Sequence, residues 1–256
     1  MALLVRLKPV IAGLTGIVII AAQQAFKAIP EMLPETIRPS FGRFWEFIYP
    51  SGLQGPEGVT ILYVIVPWIG VMAAGYGFGL IFSMDEKRRR KICLMTGLAM
   101  TAAFLIAGSH LVYRNSSAEN VSPFWMQLLN QNKYPASQLF LLMTLGPLLA
   151  LVPLAERTKG RLAKGLDVFG KVPLFFYLLH IPLIHLSALL VNMINYGKSL
   201  SGFYDTAPYC YLPDEYKWSL PLVYLVFIVN IALLFLACRW YLKINATHPA
   251  GWLRYI

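Results

Sequence analysis

Two histidines in an apolar run are the residues of this sequence best suited to chemistry. His180 and His185 lie in FFYLLHIPLIHLSALL, residues 175–190. An imidazole exchanges protons near neutral pH, as acyl transfer to an amine or a hydroxyl requires. On a straight helix the two side chains point about 140° apart, whereas zinc-binding helices use spacings such as four residues. The spacing therefore argues against a metal site and leaves proton transfer open.

Helical spacing divides the polar residues of this segment into two stripes. Tyr177, His180 and Ser187 share one face, and His185 aligns with Asn192 on another. Each histidine is either a neutral imidazole hydrogen-bonded to a neighbouring helix or part of a site, because ionisable groups inside a membrane often mark sites. We expect His180 to face a hydrated cavity, with Tyr177 as a second catalytic residue. His185 is a candidate for substrate binding and is otherwise a packing residue.

A second polar cluster precedes the apolar segment that starts near residue 136. Asn132, Lys133 and Tyr134 stand directly before Pro135, in LLNQNKYPASQLFLLMTLGP. Proline suits the first turn of a helix, so the three polar residues are expected at its outer end. They either anchor the chain among lipid headgroups or bind a polar acceptor, and the sequence leaves both interpretations open.

Clustered cations form the third candidate site. Arg157, Lys159 and Arg161 follow an apolar segment, and MDEKRRRK (84–91) is another basic loop. Such loops are typical topology determinants of membrane proteins. They also attract polyanions, so the three cations are candidates for binding a phosphorylated donor.

The composition indicates the kind of protein that must position these residues. The 256 residues are 57% hydrophobic and 13% charged, with mean hydropathy +0.59 and net charge +10. Ordinary soluble domains carry about 25% charged residues, so the sequence predicts a membrane protein in contact with a lipid bilayer. Outside its short loops the sequence has no basic patch interleaved with aromatic residues, the pattern that would predict nucleic-acid binding. Apolar runs predict six spans, at about 9–25, 59–84, 91–113, 136–155, 172–194 and 219–240.

The short basic loops predict the orientation of these spans. Loops 84–91 and 156–171 are rich in lysine and arginine, whereas segments 26–58, 114–135 and 195–218 are longer and mixed in charge. Cytoplasmic loops carry the excess of positive charge, so both termini are expected in the cytoplasm. We predict an all-α polytopic protein, with residues 1–256 forming a single transmembrane domain. The pairs Gly70/Ala74 and Gly75/Gly79 predict close helix packing.

Several long motifs resemble one family. KYPASQLFLLMTLGP, FGKVPLFFYLLHIPLIHL, VIVPWIGVMAAGYGFG and CRWYLKINATHPAGWLRYI resemble bacterial membrane proteins similar to the catalytic domain of heparan-α-glucosaminide N-acetyltransferase. The match runs in order from about residue 60 to the C-terminus. The resemblance implies a transmembrane acyltransferase in the bacterial inner membrane. Its donor would be cytoplasmic acetyl-CoA, its acceptor a sugar amine or hydroxyl on the outer face, and no metal would be needed.

One departure from the family limits this transfer of roles. Family members begin with a segment of the kind IDxLRGxxxxxMxxDH, which carries the principal catalytic histidine, and this sequence contains no such segment. We therefore expect the chain to be either the C-terminal portion of a longer protein or a truncated relative, incomplete or inactive as an enzyme without the upstream catalytic segment. His180 matches a family histidine, and Lys133, Tyr134 and Pro135 match a recurrent family motif. The alternative function is a non-enzymatic binding or transport module that uses the same polar residues, and the oligomeric state stays open.

Overall fold

The computed structural model describes residues 6–50, 61, 63–115, 122–204 and 213–247. Cys210 and the last residues of the motif CRWYLKINATHPAGWLRYI lie outside these ranges. The described residues form helices and turns, and no β-strand occurs among them, so the predicted all-α class is confirmed. The α-helices are α1 (Pro9–Ala21), α2 (Ala25–Ala28), α3 (Arg38–Trp45), α4 (Ile65–Phe78), α5 (Glu86–Arg114), α6 (Phe124–Leu129), α7 (Gln138–Arg157), α8 (Arg161–Lys171), α9 (Pro173–Tyr196) and α10 (Leu220–Thr247).

Five stretches among the described residues are long and apolar enough to cross a membrane. They are Ile65–Ser83, Glu86–Arg114, Gln138–Arg157, Pro173–Tyr196 and Leu220–Asn245. A sixth span exists if Pro9–Ala21 and Ala25–Met32 count as one, although the two pieces meet at an angle of 65°. Each predicted span thus has a helical counterpart, and the first is bent where Gln23 and Gln24 interrupt the apolar run. The chain is a multi-pass membrane protein.

Contacts group the chain into two compact units, residues 1–157 and 158–256. The single transmembrane domain expected from the sequence stays a prediction. In the first unit α1 packs on α4 and α5 packs on α7. In the second, α10 packs on α8 and on α9.

Glycine allows α1 and α4 to pack backbone against backbone. A Cβ atom at Gly16 would lie 2.4 Å from both the Ala74 nitrogen and the Gly70 carbonyl oxygen. Small residues four apart favour such approaches between membrane helices, because no side chain separates the two backbones. The predicted packing role of Gly70 and Ala74 is confirmed.

The second predicted glycine pair does not line this contact. Within the described part of the chain, a Cβ atom at Gly75 or at Gly79 would meet no atom within 4 Å, whereas one at Gly77 would lie 2.5 Å from the Gly13 Cα atom. The predicted role of Gly75 and Gly79 in close packing is therefore wrong. Gly77 takes that role because it faces α1.

The same principle joins α5 to α7. A Cβ atom at Gly97 would lie 2.3 Å from the Ala150 nitrogen and 2.7 Å from the Gly146 carbonyl oxygen. At Gly146 it would lie 2.8 Å from the Thr101 hydroxyl oxygen. The two helices therefore stay in register through a backbone contact that leaves no room for a methyl group.

In the second unit, aromatic and polar contacts hold α9 and α8 to α10. Val172, Cys238 and Tyr241 form a buried cluster, and the ring of Phe175 stacks on Tyr241 with centroids 4.2 Å apart. Helix α9 ends at Tyr196, and the Gly197 that follows it has a φ of +66°, in the left-handed region that favours glycine. These contacts fix α9, which carries both histidines of the sequence prediction.

Candidate functional site

A tight turn positions the polar cluster that precedes α7. The Ser137 N–H donates to the Asn132 carbonyl oxygen at 2.9 Å, and the Ser137 hydroxyl accepts from the Phe140 N–H at 3.0 Å. The hydroxyl thereby satisfies a backbone donor at the start of α7, as helix-capping serines do. Asn132 and Lys133 are exposed on this turn, and Tyr134 is partly buried.

Tyr134 meets a residue far away in the sequence. Its hydroxyl lies 3.3 Å from the Tyr63 hydroxyl, and the two rings meet edge to face with centroids 5.3 Å apart. The Lys133 ammonium group lies 5.1 Å from the centre of the Tyr134 ring. The hydrogen bond with Tyr63 and, less strongly, the nearby Lys133 lower the pKa of Tyr134, because both stabilise a phenolate.

Trp68 extends this cluster in the first unit. Its ring centroid lies 6.5 Å from that of Tyr63. The indole Nε1 atom is buried and has no hydrogen-bond partner within the described ranges. A buried donor without a partner is uncommon in native structures, and a bound water or ligand is one way to satisfy it. Tyr63, Trp68 and Tyr134, with the exposed Asn132 and Lys133, are named here the aromatic cluster.

Two glutamines that no sequence motif singled out, Gln23 and Gln138, fix the turn to the end of α1. The fully buried Gln23 amide can donate to the Ala136 carbonyl oxygen at 3.2 Å and accept from the Gln138 N–H at 3.0 Å. The Gln138 amide donates to the carbonyl oxygens of Ile20 and Ala21 at 3.1 and 2.8 Å. The sequence signal for this contact is the adjacent pair Gln23 and Gln24, two polar residues at the end of an apolar run. The contacts hold the aromatic cluster in place.

His180 makes its polar contact within its own helix. Its Nδ1 atom is within hydrogen-bond distance of the Tyr177 carbonyl oxygen. Because a carbonyl oxygen only accepts, Nδ1 carries the proton in the neutral ring and Nε2 is the basic nitrogen. The imidazole stacks on Phe176, with centroids 5.6 Å apart and planes 3° apart, and its centroid lies 5.3 Å from that of Tyr177. The side chains of His180 and Tyr177 are thus adjacent. The Nε2 atom of His180 has no hydrogen-bond partner among the described residues.

The remaining polar residues of α9 have different surroundings. The Ser187 hydroxyl donates to Asn230 Oδ1 at 2.8 Å, which joins α9 to α10. Asn192 is fully buried and accepts from Trp218 Nε1 at 2.7 Å. The side chain of His185 is exposed. Ser187 therefore joins α9 to α10, and Asn192 joins α9 to Trp218, which lies just before α10.

The cations divide into a paired group and an exposed group. Glu156 accepts from Arg89 Nε at 2.6 Å and from Arg90 Nε at 2.8 Å, so these two arginines clamp the start of α5 to the end of α7. Arg157, Lys159 and Arg161 are exposed. None of the three forms an ion pair within the part of the chain that the structure describes.

Helix α7 separates the aromatic cluster from the first of these exposed cations. The helix starts at Gln138, just after the turn, and ends at Arg157. Its 20 residues correspond to about 30 Å at 1.5 Å per residue, the thickness of a bilayer core. In the described ranges no three His, Cys, Asp or Glu side chains lie close enough to hold a metal ion. Comparisons with models of protein families, with curated proteins and with solved structures found no match to this chain.

Proposed function

We propose that this chain belongs to a membrane acyltransferase that moves an acetyl group from cytoplasmic acetyl-CoA to a sugar amine or hydroxyl on the outer face. The observation that carries the proposal is the placement of two unlike polar regions at opposite ends of α7. An exposed cation ends this helix, and the aromatic cluster precedes it. The motif KYPASQLFLLMTLGP, which contains Lys133 and Tyr134 of the aromatic cluster and resembles the same family, supports this conclusion.

The basic end suits the donor. Arg157, Lys159 and Arg161 fall within five consecutive residues, a stretch that extends over at most about 18 Å. Coenzyme A carries several phosphate charges, and exposed cations without carboxylate partners attract such a polyanion. The arginines Arg89 and Arg90 are less suitable, since Glu156 pairs with both of them and Glu86 pairs with Arg90 as well.

The aromatic cluster suits a sugar acceptor. Ligand sites combine apolar or aromatic walls with a few polar groups that fix orientation. Tyr63 and Trp68 supply rings, Tyr134 supplies a hydroxyl, and Asn132 and Lys133 supply exposed donors. The buried Trp68 Nε1 has no hydrogen-bond partner among the described residues, and a sugar hydroxyl that reaches it can accept this hydrogen bond.

His180 supplies the proton transfer that acylation of an amine or hydroxyl needs. With its proton on Nδ1, directed at the Tyr177 carbonyl, Nε2 can accept a proton from the acceptor as the new acyl bond forms. The proton then leaves with the thiol of coenzyme A or passes to water, and the thioester bond breaks. Tyr177, 49% exposed beside it, can donate a hydrogen bond to the reacting oxygen. His185 is assigned to acceptor binding on the same helix.

Acetyl-CoA binding by the purified protein tests the donor assignment. The triple variant Arg157→Gln, Lys159→Gln, Arg161→Gln should weaken binding, and added salt should weaken binding to the unmodified protein. The matched control removes three exposed cations from another basic loop, as Lys87→Gln, Arg88→Gln, Lys91→Gln. Equal losses in the two triple variants would show that net charge alone attracts the donor, and unchanged binding in the first would overturn the assignment.

A further inference from the structure

An open groove lies between α8 and α10 in the second unit, and the proposed function uses only Arg161 of the residues that line it. Its volume is about 640 Å³, within the range of about 300–1,000 Å³ that ligand sites occupy. The rings of Phe169 and Phe235, with centroids 5.8 Å apart, join α8 to α10 in its lining. Apolar side chains line the walls, and Leu162, Leu166 and Ile228 remain 69%, 61% and 62% exposed.

The sequence of α8 explains why one side of this helix is a wall. Leu162, Gly165, Leu166 and Phe169 recur at the helical spacing of one face. The opposite face carries Lys164 and the ion pair Asp167–Lys171. An amphipathic helix of this kind lies at a membrane surface with its apolar face toward the acyl chains. The groove therefore opens toward lipid and away from water.

Arg161 gives the groove its chemical selectivity. It is the one charged side chain among the described residues that line the groove, and it stands at the first position of α8. Its guanidinium group has no described carboxylate partner, and guanidinium groups bind phosphate oxygens with paired hydrogen bonds. A ligand that fits both the apolar walls and the Arg161 guanidinium group has a long apolar chain and an anionic phosphate.

We infer that the α8–α10 groove binds an anionic phospholipid, with one acyl chain between Leu162, Leu166 and Ile228 and the phosphate at Arg161. A zwitterionic phospholipid offers the same chain but no net negative charge to complement the guanidinium. The inference does not rest on the proposed function. Arg161 takes part in both, so the tests use lipid binding as their readout and alter the groove at a residue that the donor assignment does not include.

Substitutions at two glycines of α8 test the groove. A Cβ atom at Gly165 or at Gly170 meets no atom of the described residues within 4 Å, so each position accepts a larger side chain. Gly165 lines the groove and Gly170 does not. In native mass spectrometry of the delipidated full chain, Gly165→Leu should weaken binding of phosphatidylglycerol by at least about tenfold, since excluding two CH₂ groups already has that effect. Gly170→Leu should bind like the unmodified protein.

A charge variant tests the phosphate contact in the same assay. Arg161→Gln should reduce the preference for phosphatidylglycerol over phosphatidylcholine by about fivefold, while Lys164→Gln, on the opposite face of α8, should preserve it. Equal phosphatidylglycerol binding by the Gly165→Leu and Gly170→Leu variants would overturn the groove assignment. An unchanged lipid preference in Arg161→Gln would overturn the phosphate contact. Tighter binding of palmitoyl-CoA than of phosphatidylglycerol would contradict the inference as well.

Discussion

Alanine at Gly97 should destabilise the first unit by an amount that follows from the α5–α7 contact. The new Cβ atom would lie 2.3 Å from the Ala150 nitrogen and 2.7 Å from the Gly146 carbonyl oxygen. Both neighbours are backbone atoms, so relief requires the helices to separate. Overpacking a tight contact costs up to about 3 kcal/mol, and alanine regains about 1 kcal/mol of helix propensity over glycine. The net loss is about 2 kcal/mol, roughly a 30-fold shift in the folding equilibrium.

Reversible unfolding in mixed detergent micelles, followed by circular dichroism, measures this loss. Gly75→Ala is the matched control, because its Cβ atom would meet none of the described atoms within 4 Å. This variant should be as stable as the unmodified protein or more stable, by up to about 1 kcal/mol. A Gly97→Ala protein that unfolds at the same detergent fraction as the Gly75→Ala protein would refute the argument that the α5–α7 contact is made backbone to backbone.

Two further predictions concern the turn before α7. Gln138→Leu removes two hydrogen bonds to the end of α1 and should lower the free energy of unfolding by about 1–3 kcal/mol. The control Gln24→Leu replaces an exposed glutamine next to Gln23 and should have almost no effect. Equal stability of the two variants in the same unfolding assay would contradict this prediction. Tyr63→Phe should raise the pKa of Tyr134 toward its ordinary value, because the phenolate loses its main hydrogen-bond donor. Carbon-13 NMR of ring-labelled tyrosines, assigned with Tyr134→Phe, measures this shift, and an unmoved titration would show that Tyr63 does not hydrogen bond to the phenolate.

The amino-acid sequence was sufficient to predict where the membrane helices lie, and it was insufficient to predict which helices pack together. Runs of apolar residues identify membrane helices because a bilayer demands both length and apolarity. Which side of a helix meets a neighbour depends on contacts between distant segments. Gly75 and Gly77 are both small and only two residues apart, and only the position of α1 shows that Gly77 makes the contact.

The candidate site shows the same limit. Asn132, Lys133 and Tyr134 could be selected as polar residues beside an apolar run, and Tyr177 lies beside His180 because the two are three residues apart on one helix. The pairing of Tyr63 with Tyr134 joins residues 71 positions apart, so no local pattern contains it. Gln23 lies near the end of the first predicted span, and only the structure shows that its buried amide connects that end to the turn before α7.

Transfer of acetyl across a membrane tests the central claim most directly. The full-length protein, with any segments that flank these residues in its gene, is reconstituted into vesicles that contain glucosamine, and labelled acetyl-CoA is added outside. We expect label in the enclosed glucosamine, reduced at least about tenfold by His180→Ala with unchanged thermal stability, since His180 hydrogen bonds only within its own helix among the described residues. His110→Ala, an exposed histidine of α5, should transfer normally. Binding of acetyl-CoA without labelled glucosamine would contradict the proposal that the protein is an acyltransferase and would favour a binding or transport module. Full transfer by His180→Ala would exclude this residue from the chemistry.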